Sequence, residues 1–240
     1  MNISRGVSDY FYLESRYYKI FVDRCFSDAL EAFAAAADER LERMEHFLGG
    51  EPASLEHKAF YFIKCAEKDG ESFGRAFADD RIVCFFDGEQ DPCRHLLPFV
   101  HEEAHLLTAK LFGLLPSFWN EGIAERLAVF LNAERWDEDR LKILDLNIAL
   151  SSEMMPTLWD MSWTVDDTLY QKYRRRFVTG YVFAAFAVDY IINTYGKEKF
   201  FSYMRGFAQQ KDAFCDFLRR EKVFPALLES GKQLILRKNG

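Results

Sequence analysis

A chain of 240 residues with 49% hydrophobic content and 24 phenylalanines can bury a full core, which excludes an extensively disordered protein. Its net charge of −7 offers no electrostatic footprint for nucleic acid or an anionic membrane surface. Five cysteines (Cys25, Cys65, Cys84, Cys93, Cys215) are odd in number and form no C-x-x-C pair, which suits free thiols in a reducing compartment rather than a disulfide framework.

In chain order, residues 1–15 read as a tail or an added strand. Residues 17–23 (Y-Y-K-I-F-V-D) carry the β-branched and aromatic enrichment of a strand. Ser27 is placed to cap a helix running to Leu48, with Leu30, Phe33, Ala34, Ala37, Leu41, Met44 and Leu48 at helical spacing and Gly49-Gly50 closing it. His46 sits in its last turn. Residues 59–64 (A-F-Y-F-I-K) predict a second strand, and Arg81, Ile82, Val83, Cys84, Phe85 and Phe86 a third. Asp91-Pro92 signals a helix start, while Pro98 is tolerated in a first turn, so a helix beginning near Leu97 or kinked there is expected, ending at Gly113. Further helices are expected over 117–131, 137–150, 179–195, 197–209, 212–221 and 225–236, with a connecting loop at 155–160. Strand, helix, strand, strand, then helices alone, imply an α+β fold. Its expected organisation is one domain with an N-terminal lobe of about residues 15–113 and a mainly helical C-terminal lobe of about 114–238, a zinc cleft lying between them.

The expected helix near Leu97 contains His101-Glu102-x-x-His105. Residues four apart lie on one helix face, so both imidazoles aim at a single point, as one metal ion requires. Glu102 beside them can reach a water at that point without being a ligand. Tetrahedral catalytic zinc takes three protein ligands and keeps one position open. A second acidic stretch, N-E-G-I-A-E, follows, and Glu121 lies beyond the turn at Gly113 to Pro116, where it can approach from a new helix. Glu125, one turn further, could accept the free ring N–H of a ligand histidine, and Asn120 could do the same for the other. Glu103 points away from the metal face and is expected to be exposed. His46, His57 and His95 lack partners at useful spacing, and Arg174-Arg175-Arg176 reads as a solvated helix start in preference to a carboxylate site.

These two stretches resemble the gluzincin metallopeptidases, in which H-E-x-x-H is followed by a glutamate ligand in an N-E-G-x-A-E type segment. The resemblance implies one Zn2+ per chain held by His101, His105 and Glu121, with Glu102 as the catalytic carboxylate and Glu125 as the acid behind a ligand. It implies hydrolysis of a peptide or protein substrate. It also gives Arg81–Phe86 the role of an edge strand that pairs with an extended peptide; the unbroken apolar run fits a central strand buried on both faces equally well. The G-x-M-E-N stretch of aminopeptidase-type gluzincins is absent. No histidine follows His105, so the oxyanion donor implied by the resemblance is a tyrosine some sixty residues beyond the glutamate ligand. Tyr181 is the leading candidate; Tyr170, Tyr173, Tyr190 and Tyr195 compete. A zinc amidase acting on a non-peptide amide and an inactive zinc-site binding module are the alternative functions. No apolar run reaches the ~20 residues of a membrane span, and residues 1–10 lack the apolar core of an export signal. A cytoplasmic protein with no membrane or nucleic-acid partner is therefore expected, its oligomeric state left open.

Overall fold

A computed structural model of the chain describes residues 10–23, 30–50, 58–65, 73–77, 80–86, 97–131 and 177–238. The fold is α+β, as its element order implies, and the chain divides into two compact units, Met1–Lys110 and Leu111–Gly240. Among the described residues, no helix is long and apolar enough to cross a membrane.

The first unit is built on a five-stranded mixed sheet. Strand β1 (Tyr10–Glu14) lies antiparallel to β2 (Tyr18–Asp23), and β2 is parallel to β3 (Ala59–Cys65). A parallel pair needs a crossover, which helix α1 (Leu30–Leu48) supplies, completing a βαβ unit. Next to β3 lies β5 (Arg81–Phe86), in parallel, and β4 (Phe73–Phe77) closes the edge antiparallel to β5. Among the described residues, the outermost strand at this side of the sheet is therefore β4. Arg81, Ile82, Val83, Cys84, Phe85 and Phe86 form an internal strand paired on both sides, which corrects their expected place at an edge. Nor is β5 buried on both faces, since Ile82 and Cys84 are buried whereas Arg81, Val83 and Phe85 are half-exposed. Strand β4 escapes a reading of the sequence because F-G-R-A-F has no β-branched residue and contains a glycine, which weakens a strand.

Alternation gives the sheet one closed face, on which Tyr18, Ile20, Val22, Tyr61, Ile63, Ile82 and Cys84 are all buried. Helix α2 (Leu97–Phe112) begins at Leu97 with Pro98 in its first turn, and Gly113, at φ 71°, terminates it. Phe33 of α1, Tyr61 of β3 and Phe99 of α2 form a three-way aromatic contact, with ring centroids 4.7–5.6 Å apart. Beneath it lies a buried ion pair. Arg40 of α1 donates two hydrogen bonds to Glu103 of α2, at 2.6 and 2.9 Å, and the Tyr61 hydroxyl donates a third at 3.3 Å. Glu103 is 0% exposed, correcting its expected exposure. Its side chain is directed into the core, toward Arg40 and Tyr61.

Burial alone would push the Glu103 carboxyl up toward neutrality. The guanidinium opposes this, and the bidentate geometry is that of an ionised pair. Burial likewise works against the charge on Arg40, and Glu103 more than reverses that, holding the guanidinium above its ordinary range. Burial pushes the Tyr61 phenol well up, so it remains the donor.

The second unit is helical. Its elements are α3 (Ser117–Leu131), α4 (Phe177–Tyr195), α5 (Lys197–Met204), α6 (Phe207–Arg220) and α7 (Val223–Lys238). Its core is aromatic. Trp119, Phe200, Phe214 and Phe217 are almost wholly buried, and Trp119 meets Phe200 and Phe214 edge-on. The expected helices over 197–209 and 212–221 are instead α5 and α6, because Gly206 adopts the left-handed conformation, at φ 74°, and breaks the run before Phe207. The helix expected over 137–150, the loop at 155–160, and Ser27, His57, His95 and Arg174–Arg176 lie outside the described residues.

Removing one partner of the buried pair strands the other charge. Glu103→Ala is therefore expected to destabilise the protein by about 3–5 kcal/mol in denaturant unfolding, while Arg40→Met combined with Glu103→Leu recovers most of that loss.

Candidate metal centre

His101 and His105 lie one turn apart on α2, both half-buried. Their rings are nearly perpendicular, and the two Nε2 atoms approach to 3.1 Å. Two nitrogens bound tetrahedrally to zinc at ~2.0–2.1 Å stand about 3.3 Å apart, so this pair is already spaced as two ligands of one ion. Glu121 joins them. One ligand atom from each of His101, His105 and Glu121 lies within 4.8 Å of the others. Nitrogen, nitrogen and carboxylate oxygen form a donor set that zinc accepts, with one tetrahedral position to spare.

Each candidate ligand is carried by an element with a reason to be where it is. Helix α2 is fixed on the side away from the histidines by Phe99, Ala104, Leu107 and the Glu103–Arg40 pair, all buried. Its C-terminal end is tied by Lys110, which pairs with Asp80 at 3.1 Å. Helix α3 starts where the Pro116 carbonyl accepts the N–H groups of Trp119 and Asn120, and Phe118 and Trp119 are buried immediately before Glu121.

The glycine of N-E-G-I-A-E has its own explanation. A Cβ on Gly122 would stand 2.7 Å from the Ala184 carbonyl oxygen and 2.8 Å from its carbon. Gly122 thus lets α3 and α4 approach backbone to backbone, one residue after Glu121. Arg126, one turn later, pairs with Asp189 of α4 at 2.8 Å, and Asn193 donates to the other oxygen of the same carboxylate.

The other site residues fall as follows. Asn120 and Glu125 are half-buried on α3, the latter one turn after Glu121. Tyr181 lies in α4, one turn before Ala184, with its side chain outside the described residues. Tyr170 and Tyr173 lie outside them altogether. Tyr190 is half-buried on α4, and Tyr195 closes that helix with its ring edge-on to Phe217. His46 is exposed at the end of α1, as expected. Glu102 is 8% exposed, and its Oε2 accepts a 2.5 Å hydrogen bond from the main-chain N–H of Ala76 in β4. Gly74 of the same strand lies against the Glu102 side chain. Neither Gly74 nor Ala76 was singled out from the sequence; a glycine between aromatic residues, a few positions before a strand, was the available signal. Cys84 is also buried here, and burial pushes its thiol well above the ordinary range.

No protein-family model matches this chain, and no curated protein is similar enough to count as a relative.

Because the Ala184 backbone cannot yield cheaply, Gly122→Ala is expected to cost about 1–3 kcal/mol of stability, read as a lower melting temperature. It should also weaken zinc binding in a chelator competition, since the shift of α3 displaces Glu121.

Proposed function

We propose that the chain is a zinc-dependent hydrolase of amide bonds, acting on peptides. The observation that carries this reading is the convergence of His101, His105 and Glu121, with an acid at the position after the first histidine. Bound there, zinc would supply an acidified water and polarise a scissile carbonyl. In this reading Glu102 takes the proton from the attacking water and delivers it to the leaving amine, with no covalent intermediate. Glu125, one turn after Glu121, is a candidate to accept the free ring N–H of one ligand histidine, as Asn120 is for the other once the metal is bound. Tyr181 donates a hydrogen bond to the oxyanion that develops on the carbonyl oxygen. Residue types and spacing make the resemblance to gluzincins the frame for these roles, and a cytoplasmic setting fits the free cysteines.

Purified protein reconstituted with zinc is expected to hold one equivalent by elemental analysis; less than about a tenth would overturn the metal reading. Incubation with a peptide library, followed by mapping of the cleaved ends, tests the substrate class and separates endopeptidase from exopeptidase action. Glu102→Gln is expected to retain zinc and lose turnover, whereas Glu121→Gln loses the metal. Equal zinc loss in both would overturn this division of roles.

Tyr181→Phe removes a single hydroxyl. It should lower kcat by a factor on the order of 10²–10³, with zinc content and melting temperature unchanged. A wild-type kcat would exclude Tyr181 as the donor.

A further inference from the structure

We infer that the edge strand β4 positions the catalytic carboxylate: Gly74 makes room for Glu102, and the main-chain N–H of Ala76 fixes its orientation. The inference rests on the reading of Glu102 as the general base. Two independent observations converge on the same side chain. The Ala76 N–H donates to Glu102 Oε2 at 2.5 Å. A Cβ at Gly74 would stand 2.6 Å from Glu102 Cγ, 3.1 Å from Oε1 and 3.3 Å from Cys84 Sγ. The side chain of Glu102 therefore lies over bare backbone, in a space that every other residue at position 74 would fill.

The register shows why this strand can donate. Residues along an antiparallel strand direct their main-chain groups alternately toward the partner and away from it. Ala76 stands opposite Ile82 of β5, and its N–H is directed at Glu102. Among the described residues no further strand pairs with that outward side. The carboxylate takes that place, and the bond to an ionised acceptor is a strong one.

Mechanical anchoring of α2 on the sheet does not require this arrangement, because the neighbouring Glu103 already provides it through Arg40 and Tyr61. Glycine also weakens a strand, so its use here calls for a close approach. The strand holds Oε2 through a main-chain donor, which restricts rotation of the carboxylate and leaves Oε1 as the oxygen that exchanges a proton with the reacting groups. Gly74 and Ala76 are accordingly positioning residues: they act through Glu102 and make no contact with the reacting atoms themselves.

The test uses the full chain, zinc-loaded and labelled with nitrogen-15. The Ala76 amide proton is expected far downfield in the wild-type spectrum and should move upfield in Glu102→Ala, by more than any other strand amide. In Gly74→Ala the same resonance should move the same way. Its kcat should fall by on the order of 10²-fold, as for a misplaced catalytic group, while KM and zinc content stay near wild type. An Ala76 amide that does not respond to Glu102→Ala would overturn the inference without reference to any strand variant. So would a folded Gly74→Ala protein with a lower melting temperature and unchanged kcat, the signature of a purely structural role. A wild-type chain that binds no zinc would overturn the hydrolase reading and the catalytic half of this one, while the amide shift still decides the contact itself.

Discussion

Helix α2 carries two histidines that have to face a common point, and a helix can hold such a direction only if it cannot roll. The buried Arg40–Glu103 pair prevents rolling. Aromatic contacts through Phe33, Tyr61 and Phe99 are strong but nearly isotropic, so they set the distance of α2 from the sheet better than its rotation. A bidentate guanidinium–carboxylate contact is planar and directional. Rotation of the helix by even one residue would leave two charges buried without each other. The arrangement costs desolvation on both sides and, in return, admits one rotational setting.

The same sheet meets both glutamates of α2 along one row of its register. Ile20, Tyr61, Ile82 and Ala76 stand opposite one another across β2, β3, β5 and β4. Glu103 meets that row at the Tyr61 hydroxyl, and Glu102 meets it at the Ala76 N–H. Consecutive residues on a helix point about 100° apart, so a single row can receive both only because the sheet offers a long side chain at one place and bare main chain at the other. The acid adjoining the candidate ligands is thereby referenced to the sheet as well as to its own helix.

Much of this was legible in the residues themselves. Helical spacing located α1, α2 and α3, and Gly113 marked the end of α2. The candidate ligands were readable because both histidines obey a helical period and Glu121 follows a recognisable turn. Strand order was not readable: the apolar run of β5 has the same composition whether or not another strand lies beyond it, and β4 carries a glycine where a strand would ordinarily have a side chain. Glu103 illustrates a second limit. A helical wheel gives directions around an axis, yet the direction opposite a site can lead to water or to a buried arginine. Arg40, sixty-three positions away in sequence, is invisible to any local pattern. The break between the helices expected over 197–209 and 212–221 falls earlier, at Gly206, where the residues on both sides continue a helical composition.

The turn from Gly113 to Pro116 has a consequence for how the protein comes to be folded. It places His101, His105 and Glu121 in one continuous helix–turn–helix stretch, so the chain between the ligands is short and little loop entropy is lost in bringing them together. The meeting of Glu102 with β4 and of Glu103 with α1 joins segments 26 and 63 positions apart, which closes longer loops. The three candidate ligands thus depend on one local connection, whereas the setting of the two glutamates of α2 depends on contacts between segments far apart in sequence.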